Sequence, residues 1–274
     1  MLPQLFAFDF DGTLLNDSKQ LSPANERALH EIADSGAVIV FASGRLGCSM
    51  RKIIPETLSD AAMLTLNGAA VYTGKVKGAR KILDIPLSNT IADYLIDYAI
   101  HKPFCLNYYI DDKLYAVRSE KTTPWLKLYF DQTGTEYHFL KTLDAFRGRP
   151  PSKIIFVGDP AIIDEQEKHF RQLWGRSVYI CRTWDHYLEF LNPLANKAVG
   201  LETLAKEYGL DWSAIAAFGD AANDIPMLEK AGHGIAMANA TPEVKLAAGR
   251  VSTWTNNEDA VAKEWDLMKK IERM

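Results

Sequence analysis

The chain has few cysteines and no long apolar segment, and each shortage excludes a class of protein. Its 274 residues include only three widely separated cysteines, Cys48, Cys105 and Cys181. Three scattered thiols fit neither a disulfide framework nor a zinc site. No uninterrupted apolar stretch approaches the length of a membrane span, so no membrane partner is expected. The residues after Met1 lack the charged segment of a signal peptide, and we therefore expect a cytoplasmic protein.

An excess of basic residues is also missing. The chain has 31 Lys and Arg against 35 Asp and Glu, a formal net charge of −4 at pH 7. Proteins that bind nucleic acid usually present a positively charged surface, so no nucleic-acid partner is expected. An anionic substrate would instead have to be bound locally, by a metal ion and a few cations.

What the chain does contain is a pair of acids directly after an apolar run. The run from Leu5 to Phe8 is typical of a strand that is buried on both faces of a parallel sheet. Asp9 and Asp11 follow, and extended backbone directs residues two apart to the same side. Both acids can stay ionised only if a cation separates them, and hard oxygen ligands suit Mg²⁺. The alternative is an ordinary acidic turn, since Asp and Gly are common turn residues.

The two ends of the chain alternate buried strands with helices, whereas the middle has a different pattern. Further buried strands are predicted at residues 37–42, 63–66, 215–218 and 234–237. Between about residues 84 and 187 the strands are more polar, and a β-hairpin is predicted around Asp111 and Asp112. Strands that alternate with helices indicate a Rossmann-like parallel sheet. We therefore predict an α/β protein with a core of residues 1–83 and 188–274 and an inserted α+β domain of residues 84–187.

Polar side chains follow other predicted strands of the core. Ser43 comes after the second strand, where its hydroxyl and the N–H of Gly44 could bind a phosphate oxygen, although a serine there could equally cap the next helix. Asp220 ends the strand at residues 215–218 and could supply a third carboxylate to a metal site. Asp224 could cap the helix after it or serve the same site. Lys197 begins a helix, where a lysine is by default a solvated surface residue.

Taken together, these segments resemble the haloacid dehalogenase (HAD) superfamily, and they occur in the order found in that family. The insertion also falls where the Cof-type branch of the superfamily carries its cap domain. Two departures, at Ala198 and Ala260, replace glycines that are usual in that branch and remove no reacting group. The matching motifs are Asp9–Leu14, Ser43–Arg45, Lys197, Gly219–Asp224 and, for the Cof-type branch, Asn67–Ala69.

The resemblance implies a Mg²⁺-dependent phosphatase that acts on small phosphorylated metabolites, with sugar phosphates as the expected class. Asp9 would be the nucleophile that forms an aspartyl-phosphate, and Asp11 the general acid and base. The metal would be held by Asp9, the Asp11 carbonyl and Asp220, with Asp224 as a further ligand or as a neighbour of the ligands. The residues expected to bind the phosphate group are Phe10, Ser43, Gly44, Lys197 and Asn223.

Other functions remain open at this point. A phosphosugar mutase would use a related cap and the same core chemistry. A catalytically silent binding or regulatory protein is a second alternative, although such a protein would have no chemical reason to keep Asp9, Asp11, Lys197 and Asp220. A dehalogenase is disfavoured because it would not need the metal site. In the inserted domain, the aromatic residues fit a packed core better than a sugar pocket, and cations such as Arg118, Lys121 and Arg182 are uninterpreted.

Overall fold

The computed structural model describes residues 2–74 and 79–272, and the chain forms two compact units. The first unit consists of residues 1–83 and 196–274, and the second of residues 84–195. Within the described ranges, no helix combines the length and the apolar character needed to cross a membrane.

The first unit contains an eight-stranded sheet flanked by helices. Its strands are β1 (Leu5–Asp9), β2 (Val38–Ala42), β3 (Ala62–Thr65), β4 (Ala70–Thr73), β5 (Arg80–Asp84), β12 (Ile215–Gly219), β13 (His233–Ala236) and β14 (Arg250–Val251). They lie in the order β14–β13–β12–β1–β2–β3–β4–β5 across the sheet. Its helices are α1 (Pro23–Asp34), α2 (Gly47–Arg51), α6 (Lys197–Glu207), α7 (Ile225–Lys230), α8 (Pro242–Ala247) and α9 (Ala260–Glu272).

The centre of this sheet is parallel, as the alternating pattern predicts. β1 pairs in parallel with β12 on one side and with β2 on the other. Its five residues are all buried, because helices cover both faces of the sheet. Phe6 and Phe8 pack on one face with α1 and α9, while Leu5 and Ala7 pack on the other with α6 and α7. β4 was not predicted, and it pairs antiparallel with β3.

The second unit is an α+β module, also as predicted. The strands of its six-stranded sheet are β6 (Cys105–Ile110), β7 (Lys113–Val117), β8 (Tyr137–Leu140), β9 (Lys153–Val157), β10 (Tyr179–Trp184) and β11 (Tyr187–Leu191). They lie in the order β10–β11–β9–β6–β7–β8, and only the β7–β8 pair is parallel. Its helices are α3 (Asn89–Ala99), α4 (Thr123–Thr133) and α5 (Pro160–Trp174).

The predicted hairpin is present, and most of the uninterpreted side chains of this unit have a structural role. β6 and β7 pair antiparallel, and Asp111 and Asp112 both adopt positive φ in the turn. Such a two-residue turn matches the twist of the strands. Arg118 lies over the ring of Phe139, and Arg182 pairs with Asp164.

The boundary predicted at residue 187 is wrong by one strand. Tyr187 begins β11, which pairs with both β9 and β10 inside the second sheet. The hydrogen bonds of β11 therefore belong to the second unit, which ends at Ala195. The run from Tyr187 to Leu191 is fully buried, so its composition alone could not distinguish a strand of the core from one of the insertion.

Candidate active site

Three neighbouring parallel strands of the first unit deliver polar groups to one edge of the sheet. Asp9 is the last residue of β1, Ser43 directly follows β2, and Asp220 directly follows β12. Because the strands are parallel and in register, their carboxyl ends lie side by side. Ligand sites of open α/β sheets form at such edges.

A tight turn after β1 brings Asp220 against the main chain. Gly12 has φ +85°, and a Cβ at that position would lie 2.3 Å from Oδ2 of Asp220. The hydroxyl of Thr13 donates a hydrogen bond of 2.9 Å to Oδ1 of Asp220. A residue without a side chain is therefore required at Gly12, both for the turn and for the approach of the carboxylate.

Lys197 lies at the centre of the site, and the default prediction of a solvated lysine is wrong. Its side chain is completely buried at the first position of α6, which Asn196 caps by accepting a hydrogen bond from the N–H of Val199. The ammonium group donates to Oδ1 of Asp9 at 2.5 Å and to Oδ1 of Asp224 at 2.6 Å. Burial opposes the charge, but the two carboxylates outweigh it and hold the pKa of Lys197 above its usual range.

Asp224 is fixed by the turn before it rather than by the helix after it. Its Oδ2 accepts hydrogen bonds of 3.0 Å from the backbone N–H groups of Asp220 and Ala221. Asp224 does occupy the N-cap position of α7, but among the described residues its side chain makes no cap hydrogen bond there. The carboxylate instead orients both Lys197 and the backbone that carries Asp220.

Asp9, Asp220 and Asp224 form a cluster that could hold a metal ion. One oxygen from each carboxylate lies within 4.8 Å of the others. Burial raises the pKa of Asp9 well above its ordinary value, and the charges of Asp224 and Asp220 add to that effect against the opposing charge of Lys197. Burial and then Asp224 raise the pKa of Asp220 to about 6. One lysine does not balance three acids, and a hard divalent cation with oxygen ligands, such as Mg²⁺, fits this donor set.

Asp11 lies beside this cluster without belonging to it. Arg45 donates to its two carboxylate oxygens, and Lys19 forms an ion pair with it at 2.9 Å. Burial alone would raise the pKa of Asp11, but the bonds from Arg45 and then Lys19 lower it to about 2. The carboxylate is therefore ionised and held by two cations.

Two of the residues predicted to bind phosphate, Ser43 and Phe10, have buried side chains. Ser43 is buried, and its hydroxyl accepts a hydrogen bond of 3.2 Å from the N–H of Arg45. The next helix begins only at Gly47, after the N-cap residue Leu46, so Ser43 is not its cap. The ring of Phe10 is buried against Phe41, which leaves only its backbone for a ligand.

Asn67 and Asn223 form a second polar pair at this edge. The side-chain amide of Asn223 donates a hydrogen bond of 2.8 Å to Oδ1 of Asn67. A Cβ on Gly44 would lie 3.1 Å from the same oxygen. Gly44, Asn67 and Asn223 are thus brought together from three separate motifs.

Several residues of the site had no role assigned from the sequence. Thr13, Arg45 and Asn67 were visible only as members of their motifs, and Lys19 had no feature in the sequence that indicated a role beyond its nearness to Asp11. Two asparagines near the C-terminus were missed entirely. Asn239 donates to the carbonyl of Gly12, and Asn256 donates to the carbonyl of Leu15. These bonds fix the segment that follows the two acids.

Comparison with known proteins extends the similarity beyond the motifs. A family model described as haloacid dehalogenase-like hydrolase matches residues 6–264. An HMP-PP phosphatase from Cronobacter sakazakii is 30% identical over 243 residues, which cover 89% of this chain and 87% of that protein. One from Yersinia pestis is 29% identical and covers 88% of this chain and 86% of its own length. A crystal structure from Thermotoga maritima superposes with a TM-score of 0.86 at 27% identity and covers 97% of both chains.

Proposed function

Because the chain belongs to the haloacid dehalogenase-like hydrolases, we propose that it is a Mg²⁺-dependent phosphatase of small phosphorylated metabolites. The superfamily expected from the motifs is confirmed, and so is an enzyme of the phosphatase type. The observation that carries the proposal is the buried Lys197 between Asp9 and Asp224, with Asp220 beside them. A lysine held in this way can bind a phosphate oxygen while it keeps the adjacent Asp9 oriented.

In the proposed reaction, an oxygen of Asp9 attacks phosphorus and the bond to the leaving oxygen breaks. The product of this step is an aspartyl-phosphate, which water then hydrolyses at phosphorus to regenerate Asp9. Asp9, Asp220 and Asp224 would hold Mg²⁺, with the Asp11 carbonyl as the further ligand that the resemblance implies. The bound ion would supply charge neutralisation for a dianionic substrate. Lys197, Ser43, Gly44 and Asn223 bind and orient the phosphate oxygens.

Asp11 is proposed to donate a proton to the leaving oxygen and later to accept one from water. An acid with a pKa of about 2 is almost fully ionised at neutral pH, and it is also a weak base. Arg45 and Lys19 must therefore loosen their hold on Asp11 so that it can take from solvent water the proton that it donates to the leaving oxygen. The substrate phosphate is the natural competitor for these cations, because it carries two negative charges.

The Cronobacter relative is named for HMP-PP, and sugar phosphates remain the class expected from the resemblance. We propose that residues 84–195 determine which of these the enzyme prefers and that the first unit carries the chemistry. Exchange of residues 84–195 for the corresponding domain of a relative should change the order of substrate preference and leave the Mg²⁺ requirement intact. An unchanged order of preference would assign specificity to the first unit.

The direct test is release of inorganic phosphate from a panel of sugar monophosphates and HMP-PP, with Mg²⁺ and with excess EDTA. Turnover should require Mg²⁺, and Asp9→Asn should reduce it by about 10⁴ or more, as when an enzyme loses its nucleophile. Asp34→Asn, an exposed change of the same kind in the first unit, should have no effect. Full turnover in EDTA would reject the metal-dependent mechanism. Interconversion of phosphosugar isomers with little phosphate release would favour the mutase.

A further inference from the structure

The second unit contains a cavity of about 630 Å³ that is lined by none of the candidate active-site residues. It is formed by the C-terminal turn of α3, the start of β6, the segment between β7 and α4, and residues 141–144. All of its lining residues belong to the second unit, and none of the residues assigned to phosphoryl chemistry is among them. Its volume is that of a pocket for a small organic molecule.

The floor of this cavity is apolar. Ile96, Phe104, Leu106 and Leu143 line it, and all four also pack in the core of the unit. The binding of an apolar or aromatic group on such a floor is favourable because it removes apolar surface from water. The floor therefore favours a ligand with an apolar body.

The rim carries an excess of positive charge. Lys102, Lys121 and Lys141 reach the cavity from three different segments of the chain. Among the described residues, the ammonium groups of Lys121 and Lys141 have neither an ion-pair nor a hydrogen-bond partner, whereas the ammonium group of Lys102 lies 4.6 Å from the centre of the Tyr98 ring. Unpaired cations from separate segments beside an apolar floor favour an anionic group on the ligand.

Two acids also line the cavity, but they do not cancel this charge. Asp144 is already bound by Arg147 at 2.9 Å and by the hydroxyl of Thr142 at 2.7 Å. Glu120 is therefore the single acid of the lining without such partners, against the three lysines. The net charge of the cavity lining is therefore positive, although the whole chain has a net charge of −4.

We propose that this cavity is a binding site for a small organic anion, with its apolar body on the Phe104–Leu106 floor and its anionic group between Lys121 and Lys141. The two lysines give the site its selectivity for charge, and the floor supplies most of the binding energy. The site is independent of the phosphate chemistry, because it needs neither a metal ion nor a phosphoryl group.

Anilinonaphthalene sulfonate is a suitable probe, because it joins an aromatic body to one anionic group. Its fluorescence should rise and saturate at one equivalent per chain of the intact protein. The double variant Lys121→Glu/Lys141→Glu should raise the dissociation constant of the probe at least about tenfold, which is a loss of about 1.4 kcal/mol of binding free energy. The matched control Lys113→Glu/Lys168→Glu makes the same charge change at exposed positions outside the cavity and should bind the probe like the wild type.

Two further arms test the position of the probe and the need for its charge. Phenylnaphthylamine, the uncharged counterpart of the probe, should bind at least about tenfold more weakly to the wild type. The Asp9→Asn variant, which changes the candidate active site but not the lining of the cavity, should bind the sulfonate probe like the wild type. The proposal is overturned if the probe does not bind, if the Lys121/Lys141 variant binds it equally well, if the uncharged compound binds as tightly, or if Asp9→Asn changes the affinity for the probe.

Discussion

The guanidinium group of Arg45 donates two hydrogen bonds to the carboxylate of Asp11, from Nε to Oδ2 at 2.7 Å and from Nη2 to Oδ1 at 2.6 Å. This planar, two-point contact fixes the orientation of the carboxylate as well as its charge. Asp11 therefore has a defined position beside Asp9, and its proton affinity depends on a residue 34 positions later in the chain.

Asp11→Asn should slow turnover by about 10²–10⁴, the usual contribution of a positioned acid and base. The amide cannot take a proton from water, so a phosphoenzyme should accumulate with an aryl phosphate, whose leaving group needs no proton. Acid quench and peptide mass mapping would locate the phosphoryl group. Label on Asp9 is expected, and label on a different residue of the variant would refute the assignment.

Arg45→Met should lower kcat by up to about 10², the scale of loss when a reacting group is misplaced. Arg45→Lys should retain part of the activity, because a lysine keeps the charge but cannot make the two-point contact. Steady-state kinetics of the two variants and of the exposed control Arg27→Met would measure these effects. Equal activity of Arg45→Met and wild type would show that Asp11 needs no such support.

Asp220→Asn should stabilise the metal-free protein at pH 7.5 and leave its stability unchanged at pH 4. The folded-state pKa of Asp220 is raised to about 6 from 3.8, so its ionisation above that pH opposes folding and its protonation below that pH relieves the penalty. Asn keeps an oxygen to accept the hydrogen bond from Thr13 and carries no charge. Thermal unfolding in EDTA at both pH values would measure the difference.

The same variant should lose most of the stabilisation that Mg²⁺ gives to the wild type, because binding to the folded state raises the unfolding temperature. Addition of Mg²⁺ during the unfolding measurement at pH 7.5 provides this comparison. An equal shift with Mg²⁺ in the variant and the wild type would place the metal elsewhere.

Gly12→Ala should damage the site more than Gly36→Ala, although both residues have nearly the same positive φ, +85° and +86°. Each change costs about 1–2 kcal/mol because a Cβ is unfavourable in that conformation. At Gly12 the new Cβ also meets Asp220, at 2.3 Å, whereas at Gly36 no atom of the described residues lies within 4 Å. Gly12→Ala should therefore also raise the Mg²⁺ concentration needed for half-maximal activity. If the two variants had the same activity and the same Mg²⁺ requirement, the contact between a Cβ at Gly12 and Asp220 would have no effect on the site.

Much of the site was predictable because its residues lie at the ends of strands with clear patterns. The buried run before Asp9 and the runs before Ser43 and Asp220 identify three strands by composition alone. Parallel pairing then brings their carboxyl ends to one edge, whatever the details of packing. Lys197 was assigned to the site because it occurs in the expected order of the motifs. Its neighbours in the sequence alone would have predicted a surface lysine.

Only the tertiary structure decided which side chains touch. Lys197 and Asp9 are 188 positions apart, and their contact depends on how α6 packs against the sheet. Tertiary packing also decided three other features: the pairing of Arg45 with Asp11, the role of Asp224 as a hydrogen-bond acceptor and the end of the second unit at Ala195. Backbone patterning is local and repeats every two or about four residues, so a sequence reveals it. Side-chain pairs and cavities arise where distant segments meet, and no local pattern encodes their distances.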